Sequence, residues 1–102
     1  MASSNRSKVK GASSLGEAMQ HLLRSLRIES KVKQHLAVAS WPEIVGPGVA
    51  KVSAADRVEN GILFVKVESS TWRNELMFMR MEFVKKVNAF LGENVIQDIR
   101  FK

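Results

Sequence analysis

The pair Asn60-Gly61, followed by Ile62-Leu63-Phe64-Val65-Lys66-Val67-Glu68, constrains this chain more than any other stretch. Asn-Gly suits a two-residue hairpin turn, whose central residues both adopt positive φ. The run after it is rich in β-branched and aromatic residues, and it alternates. Leu63, Val65 and Val67 fall on one face; Ile62, Phe64, Lys66 and Glu68 fall on the other. Such a strand needs a partner, and the turn supplies the preceding segment, residues 52–59, which alternates more weakly. The chain therefore contains a sheet.

Helices flank this hairpin. Ser69-Ser70-Thr71 offers caps, and Trp72, Leu76, Met79, Phe83, Val87 and Phe90 then recur at steps of three and four. The stripe predicts one long helix over residues 71–91, stopped by Gly92. A last strand is expected over residues 95–101, with Val95, Gln97, Ile99 and Phe101 on one face and Ile96, Asp98, Arg100 and Lys102 on the other. Upstream, Ser14 and Glu17 form a capping-box pattern, and Leu15, Ala18, Met19, Leu22 and Leu26 predict a helix over residues 15–26. A second helix starts near Ser30, with Val32, Leu36 and Ala39 on one face. Pro42 forces a break at residues 39–41, and a short turn through residues 43–45 ends at Gly46-Pro47-Gly48. Trp41 is expected to anchor this corner in the core.

The order is α-α-β-β-α-β, an α+β fold. It has a three-stranded sheet with the long helix on one face and a right-handed crossover if the last strand runs parallel to its neighbour. Residues 15–102 read as a single domain behind a flexible basic arm, residues 1–14.

The chemistry that the residues leave out narrows the function. There is no Cys among the 102 residues, which excludes disulfides and Cys-ligated zinc or iron–sulfur centres. His21 and His35 lie on different helices without acidic neighbours at ligand spacing, so no metal site is expected. No phosphate-binding G-x-x-x-x-G-K-[ST] loop and no G-x-S-x-G elbow occurs, and carboxylates such as Glu82 pair with nearby cations such as Lys86. The expectation is a binding protein with no catalytic residues and no cofactor. No apolar run is long enough to span a membrane and no apolar stretch opens the chain, which predicts neither a membrane segment nor a secretory signal.

Charge points to a partner. The formal charge is +6, and it is uneven: residues 1–33 carry seven basic groups against two acids, whereas residues 34–102 carry nine against eight. A cationic amino end suits a polyanion, nucleic acid first. The sheet offers a second surface. With Leu63, Val65 and Val67 under the long helix, the other face shows Ile62, Phe64 and Lys66, which Arg57, Arg100 and Lys102 can join. An aromatic ringed by cations is a platform for a single strand, unless the amino-terminal helices cover it and Phe64 is core. The candidate nucleic-acid residues are Arg6, Lys8, Lys10, Arg24, Arg27, Lys31, Lys33, Lys66 and Arg100.

A third surface is the flank of the long helix. Met77, Met81 and Val84 lie beyond the main stripe, so the helix is apolar around more than half its circumference and calls for two packing partners. One is the sheet; the other is either the amino-terminal helices or a foreign protein. Phe78 falls on the polar side, and Arg73 and Arg80 edge the region. The candidate partner-binding residues are Arg73, Met77, Phe78, Arg80 and Met81.

Several segments together resemble the DciA-like family of bacterial proteins. They are Ser14-Leu15-Gly16-Glu17-Ala18, Trp41-Pro42-Glu43-Ile44-Val45-Gly46, Asn60 through Val67, Ser69-Ser70-Thr71-Trp72-Arg73-Asn74-Glu75-Leu76, and Val95-Ile96-Gln97-Asp98-Ile99-Arg100-Phe101. The resemblance spans about residues 15–102. It implies a KH-like fold and a place in chromosome replication: a cytoplasmic, nucleoid-associated protein that assists the replicative DNA helicase, binding it and DNA without an ATPase of its own. The DNA is expected to be single-stranded or bound without sequence preference, with no membrane and no metal involved. The Gly-x-x-Gly loop of KH domains is replaced here by Gly46-Pro47-Gly48. The alternatives are a KH-like module for single-stranded RNA and a protein-interaction domain that binds no nucleic acid.

Overall fold

The computed structural model describes the backbone over residues 11–102 and the side chains over residues 14–102. Arg6, Lys8 and Lys10, with most of the expected basic arm, lie outside the described residues. The chain forms two units, residues 1–31 and residues 32–102.

Helix α1 (Gly11–Ala39) runs through 29 residues without interruption. The sequence pattern placed a junction near Ser30, but no Gly or Pro stands between Gly16 and Pro42, and a mid-helix Ser costs only a few tenths of a kcal/mol, roughly, relative to the best formers. The two expected helices are therefore one, and the Ser14–Glu17 pattern lies inside it rather than at its start. In the first unit this helix exposes Leu15, Met19, Leu22, Leu23, Leu26 and Ile28.

The second unit holds the core. α1 ends where Pro42 requires, with Ser40 out of helical geometry (φ −97°, ψ 4°) and Pro42 in the first turn of α2 (Trp41–Val45). Gly46 stops α2 at φ +90°, and Pro47 then opens one more turn, α3 (Pro47–Ala50), beyond the stop and turn expected at Gly46-Pro47-Gly48. Trp41 is fully buried, as expected of the corner. Its ring meets Phe83 edge-on at 5.9 Å, and its Nε1 donates to Ser53 Oγ at 3.0 Å, which in turn donates to the Val49 carbonyl at 2.7 Å. The indole N–H thus enters the core with a partner, which offsets the cost of taking it out of water.

Strands β1 (Ser53–Glu59) and β2 (Ile62–Val67) form the hairpin, with Asn60 at φ +52° and Gly61 at φ +77° as the turn demands. β3 (Asp98–Phe101) pairs parallel to β2, giving the sheet order β1-β2-β3. Helix, hairpin, helix and strand follow one another in the order read from the sequence. Leu63, Val65, Val67, Ile99 and Phe101 face the buried side, against Leu76, Phe83, Val84, Val87 and Leu91.

Two further elements differ from expectation. The long helix is broken at Met79 (φ −101°, ψ 10°) into α4 (Ser70–Phe78) and α5 (Arg80–Leu91). The break rotates the stripe. Val84 is buried, whereas Trp72, Met79 and Phe90, expected in the core, are exposed. The last strand is shorter than residues 95–101 because its approach is held by a side chain. Asn88 Oδ1 accepts from the backbone N–H of Val95 (2.9 Å) and Ile96 (3.0 Å), and Asn88 Nδ2 donates to the Ile96 carbonyl (2.8 Å). Ile96 is consequently buried, on the side opposite to that expected from alternation.

Candidate nucleic-acid interface

The outer face of the sheet is organised by a bulge. Ser53 to Ala55 pair with Val67 to Val65, and Arg57 to Glu59 pair with Phe64 to Ile62, so Asp56 is the extra residue of β1. A bulge re-aims the side chains next to it. Asp56 and Arg57 are consecutive, yet both are exposed. Without the bulge Arg57 would point into the core. With it, Arg57 stands opposite Phe64, and Arg100 stands opposite Phe64 on the other neighbouring strand.

Phe64 is half-buried at the centre of this face. Arg57 Cζ lies 4.4 Å from its ring centroid, Lys102 Nζ 5.6 Å and Arg100 Cζ 5.9 Å, all within reach of a cation–π attraction. Lys102 continues the parallel pairing beyond β3, since its N–H donates to the Val65 carbonyl at 2.9 Å and its carbonyl accepts from Val67 N–H at 2.9 Å. That pairing is what carries its ammonium onto this face. The Asp56 carboxylate binds two of the cations, Lys102 Nζ at 3.1 Å and Arg57 Nη1 at 2.7 Å. The hydrogen bond from Lys102 is the main cause that holds the Asp56 carboxyl below its usual range, with the nearby Lys102 and Arg57 charges adding to it against an opposing desolvation. Arg57 Nε also lies 3.4 Å from Glu59. Among the described residues Arg100 has no carboxylate partner within ion-pair distance.

A groove of about 630 Å³ opens beside this face, lined by Lys51, Lys66, Arg73 and Lys102 with a single acid, Glu68. Arg73 is anchored there by donating to the Val67 carbonyl at 3.1 Å. Lys66 is exposed on the outer face next to it.

The residues singled out in the sequence fall into separate groups. Arg24, Arg27 and Lys31 are exposed on α1 in the first unit. Lys33, in the second unit, is bound to Glu93 in an ion pair and is half-buried. Lys66 and Arg100 lie on the outer sheet face, together with Arg57 and Lys102. Of the candidate partner-binding residues, Phe78 is 88% exposed, and Met77 and Met81 are about half exposed around the α4–α5 break. Arg73 belongs to the basic groove, and Arg80 Nε reaches Asp98 at 3.1 Å. Lys51 and Asp56 are absent from the candidates that the sequence offers. Nothing in the pattern marks Lys51 as a neighbour of Lys66, but the weak alternation of residues 52–59 is a trace of the bulge that presents Asp56.

Among the described residues no group of three or more His, Cys, Asp or Glu side chains could hold a metal ion, and no helix is long and apolar enough to cross a membrane.

A family model described as "Dna[CI] antecedent, DciA" matches residues 14–101. Curated relatives are named UPF0232 proteins. One from Mycobacterium tuberculosis is 24% identical over 86 residues, which cover 84% of this chain and 46% of that protein. One from Rhodococcus jostii is 29% identical over 70 residues (69% and 37%), and one from Corynebacterium glutamicum is 23% identical over 92 residues (90% and 52%). The chain spans about half the length of the curated relatives it matches.

Proposed function

Because the chain belongs to the DciA family, we propose that it is a non-enzymatic accessory protein of DNA replication that binds DNA and assists the replicative helicase. The family match over residues 14–101 supports the replication side of this reading. On the DNA side, the observation that carries it is Phe64 on an outer sheet face with three cations within 6 Å of its ring, continuous with a groove lined by Lys51, Lys66 and Arg73. A flat ring and arginine planes accept bases of any identity, and the surrounding cations meet phosphates, so binding is expected without sequence preference and with strong dependence on salt. Arg24, Arg27 and Lys31 on α1, and Arg6, Lys8 and Lys10 before it, add to the cationic charge that a polyanion would meet.

The helicase side is assigned to Phe78, Met77 and Met81. An exposed phenylalanine flanked by two methionines at a helix break offers an adaptable apolar anchor. The chain would act from the cytoplasm at the nucleoid, by holding strand and helicase together rather than by catalysis.

The reading is tested with the purified chain and the replicative helicase of the same cell. Capture of the helicase should survive nuclease treatment, and binding to a labelled DNA strand should weaken steeply as salt is raised. If neither is seen in dilute buffer, the proposal is wrong. If RNA of equal length is bound in clear preference to DNA, the RNA-binding alternative replaces it.

A further inference from the structure

We propose that Asp56 is a resident anion on the Phe64 face: its carboxylate, bonded at once to Arg57 and Lys102, occupies the place a backbone phosphate takes when an unpaired strand crosses the sheet. The inference rests on the sheet face being the DNA surface and adds what sets its strength.

The bulge is the starting point. Its one extra residue is an acid, placed on the outer face beside the aromatic ring that a base would use. That acid joins two strands, accepting from Arg57 on β1 and from Lys102 at the end of β3. A carboxylate oxygen held by a guanidinium and an ammonium has the donor set that a phosphate oxygen seeks. Both cations also lie over the Phe64 ring, at 4.4 and 5.6 Å. A nucleotide with its base on Phe64, or on the Arg57 plane above it, thus brings its phosphate to the donors that Asp56 holds. Glu59 cannot play this part, because it reaches only Arg57 Nε, at 3.4 Å.

Exchange is easy. The partners are solvent-exposed, and exposed ion pairs are worth little. A strand with several phosphates displaces one carboxylate, and its next phosphates meet Lys66 and Lys51 in the adjoining groove. Arg100 needs no such displacement, having no carboxylate partner among the described residues. Asp56 keeps the cations ordered when no strand is bound and makes the strand's hold weaker than the cations alone would give.

The test is fluorescence anisotropy with a labelled oligo-dT strand of ~15 nucleotides, a length that covers a typical single-strand site. Asp56→Asn should tighten binding roughly three- to tenfold at low salt. With no carboxylate to displace, the face gains one net positive charge, so the salt dependence should also steepen, by about 0.7 in the slope of log K against log salt. Asp56→Glu, which keeps the charge, should bind like the wild type. If Asp56→Asn binds equally or more weakly, or if Asp56→Glu tightens binding as much as Asp56→Asn, the resident-anion role is refuted. Phe64→Ala is measured alongside and should weaken wild-type binding. If it does not, or if the wild type ignores the strand, the sheet-face reading itself fails, whatever Asp56 does.

Discussion

The two faces of the sheet are made from alternate residues of the same strands, yet they treat aromatic rings in opposite ways. On the inner face Phe101 and Phe83 are closed in with Leu63, Val65 and Ile99, and the Trp41 indole N–H is passed to Ser53. On the outer face Phe64 is half-open, and its neighbours are cations. A ring among aliphatic side chains contributes through burial. A ring among cations contributes little to folding but offers a polarised plane to a ligand. On the proposed reading, the difference teaches that stability and binding are separable, residue by residue along one strand.

Substitutions can break that separation or sharpen it. The largest effect is expected from Leu63→Ala. This side chain is fully buried on the inner face, and its removal should cost about 2–5 kcal/mol in denaturant unfolding. A loss of under about 1 kcal/mol would mean that the inner face is not the core. One residue further on, Phe64→Ala should cost less than about 1 kcal/mol of stability. It should instead remove roughly 1–3 kcal/mol of single-strand binding, about tenfold or more in affinity. Loss of stability on the inner-face scale would show that Phe64 is a core residue after all. Arg100→Ala should leave the melting temperature nearly unchanged and flatten the salt slope by about 0.7 for a single strand, the value for one phosphate left without its cation. The smallest effect on the fold is expected for Phe78→Ala, within about 0.5 kcal/mol. Helicase capture should fall while strand affinity is unaltered. Equal loss of both would merge the two surfaces into one.

Much of the architecture is readable because it depends on near neighbours. Asn60-Gly61 allows the two positive φ values of the hairpin, Ser69 Oγ accepts from Trp72 N–H at 3.1 Å to cap α4, and Gly92 closes α5 in the left-handed region at φ +81°. The alternation of residues 62–67 sets which side chains meet the core. The break at Met79 is not readable. No Gly or Pro marks it, and the apolar stripe runs across it without a gap. The continuity of α1 is hidden for the opposite reason, since Ser30 looks like a cap and is only a tolerated helical residue. Asn88 gives no signal at all, because its partners, Val95 and Ile96, are reached only after the chain turns back at Gly92.

The candidate interface divides in the same way. Phe64, Lys66, Arg100 and Lys102 can be placed on one sheet face by counting along each strand. Their register across strands, Phe64 beside Arg57 and Arg100, required the bulge and the parallel pairing of β3. The grouping of Lys51 and Arg73 with Lys66 came from packing alone.

What this sequence determined by itself was local: turns, caps, strand faces, the absence of cysteine chemistry, and a cationic excess toward the amino end. These follow from the backbone preferences and charges of adjacent residues, which need no tertiary context. Only the folded structure decided which cations share a ring, which acid lies between them and where the helix breaks. Those depend on distances between residues far apart in the chain, and a single extra residue in β1 is enough to reverse which way a side chain points.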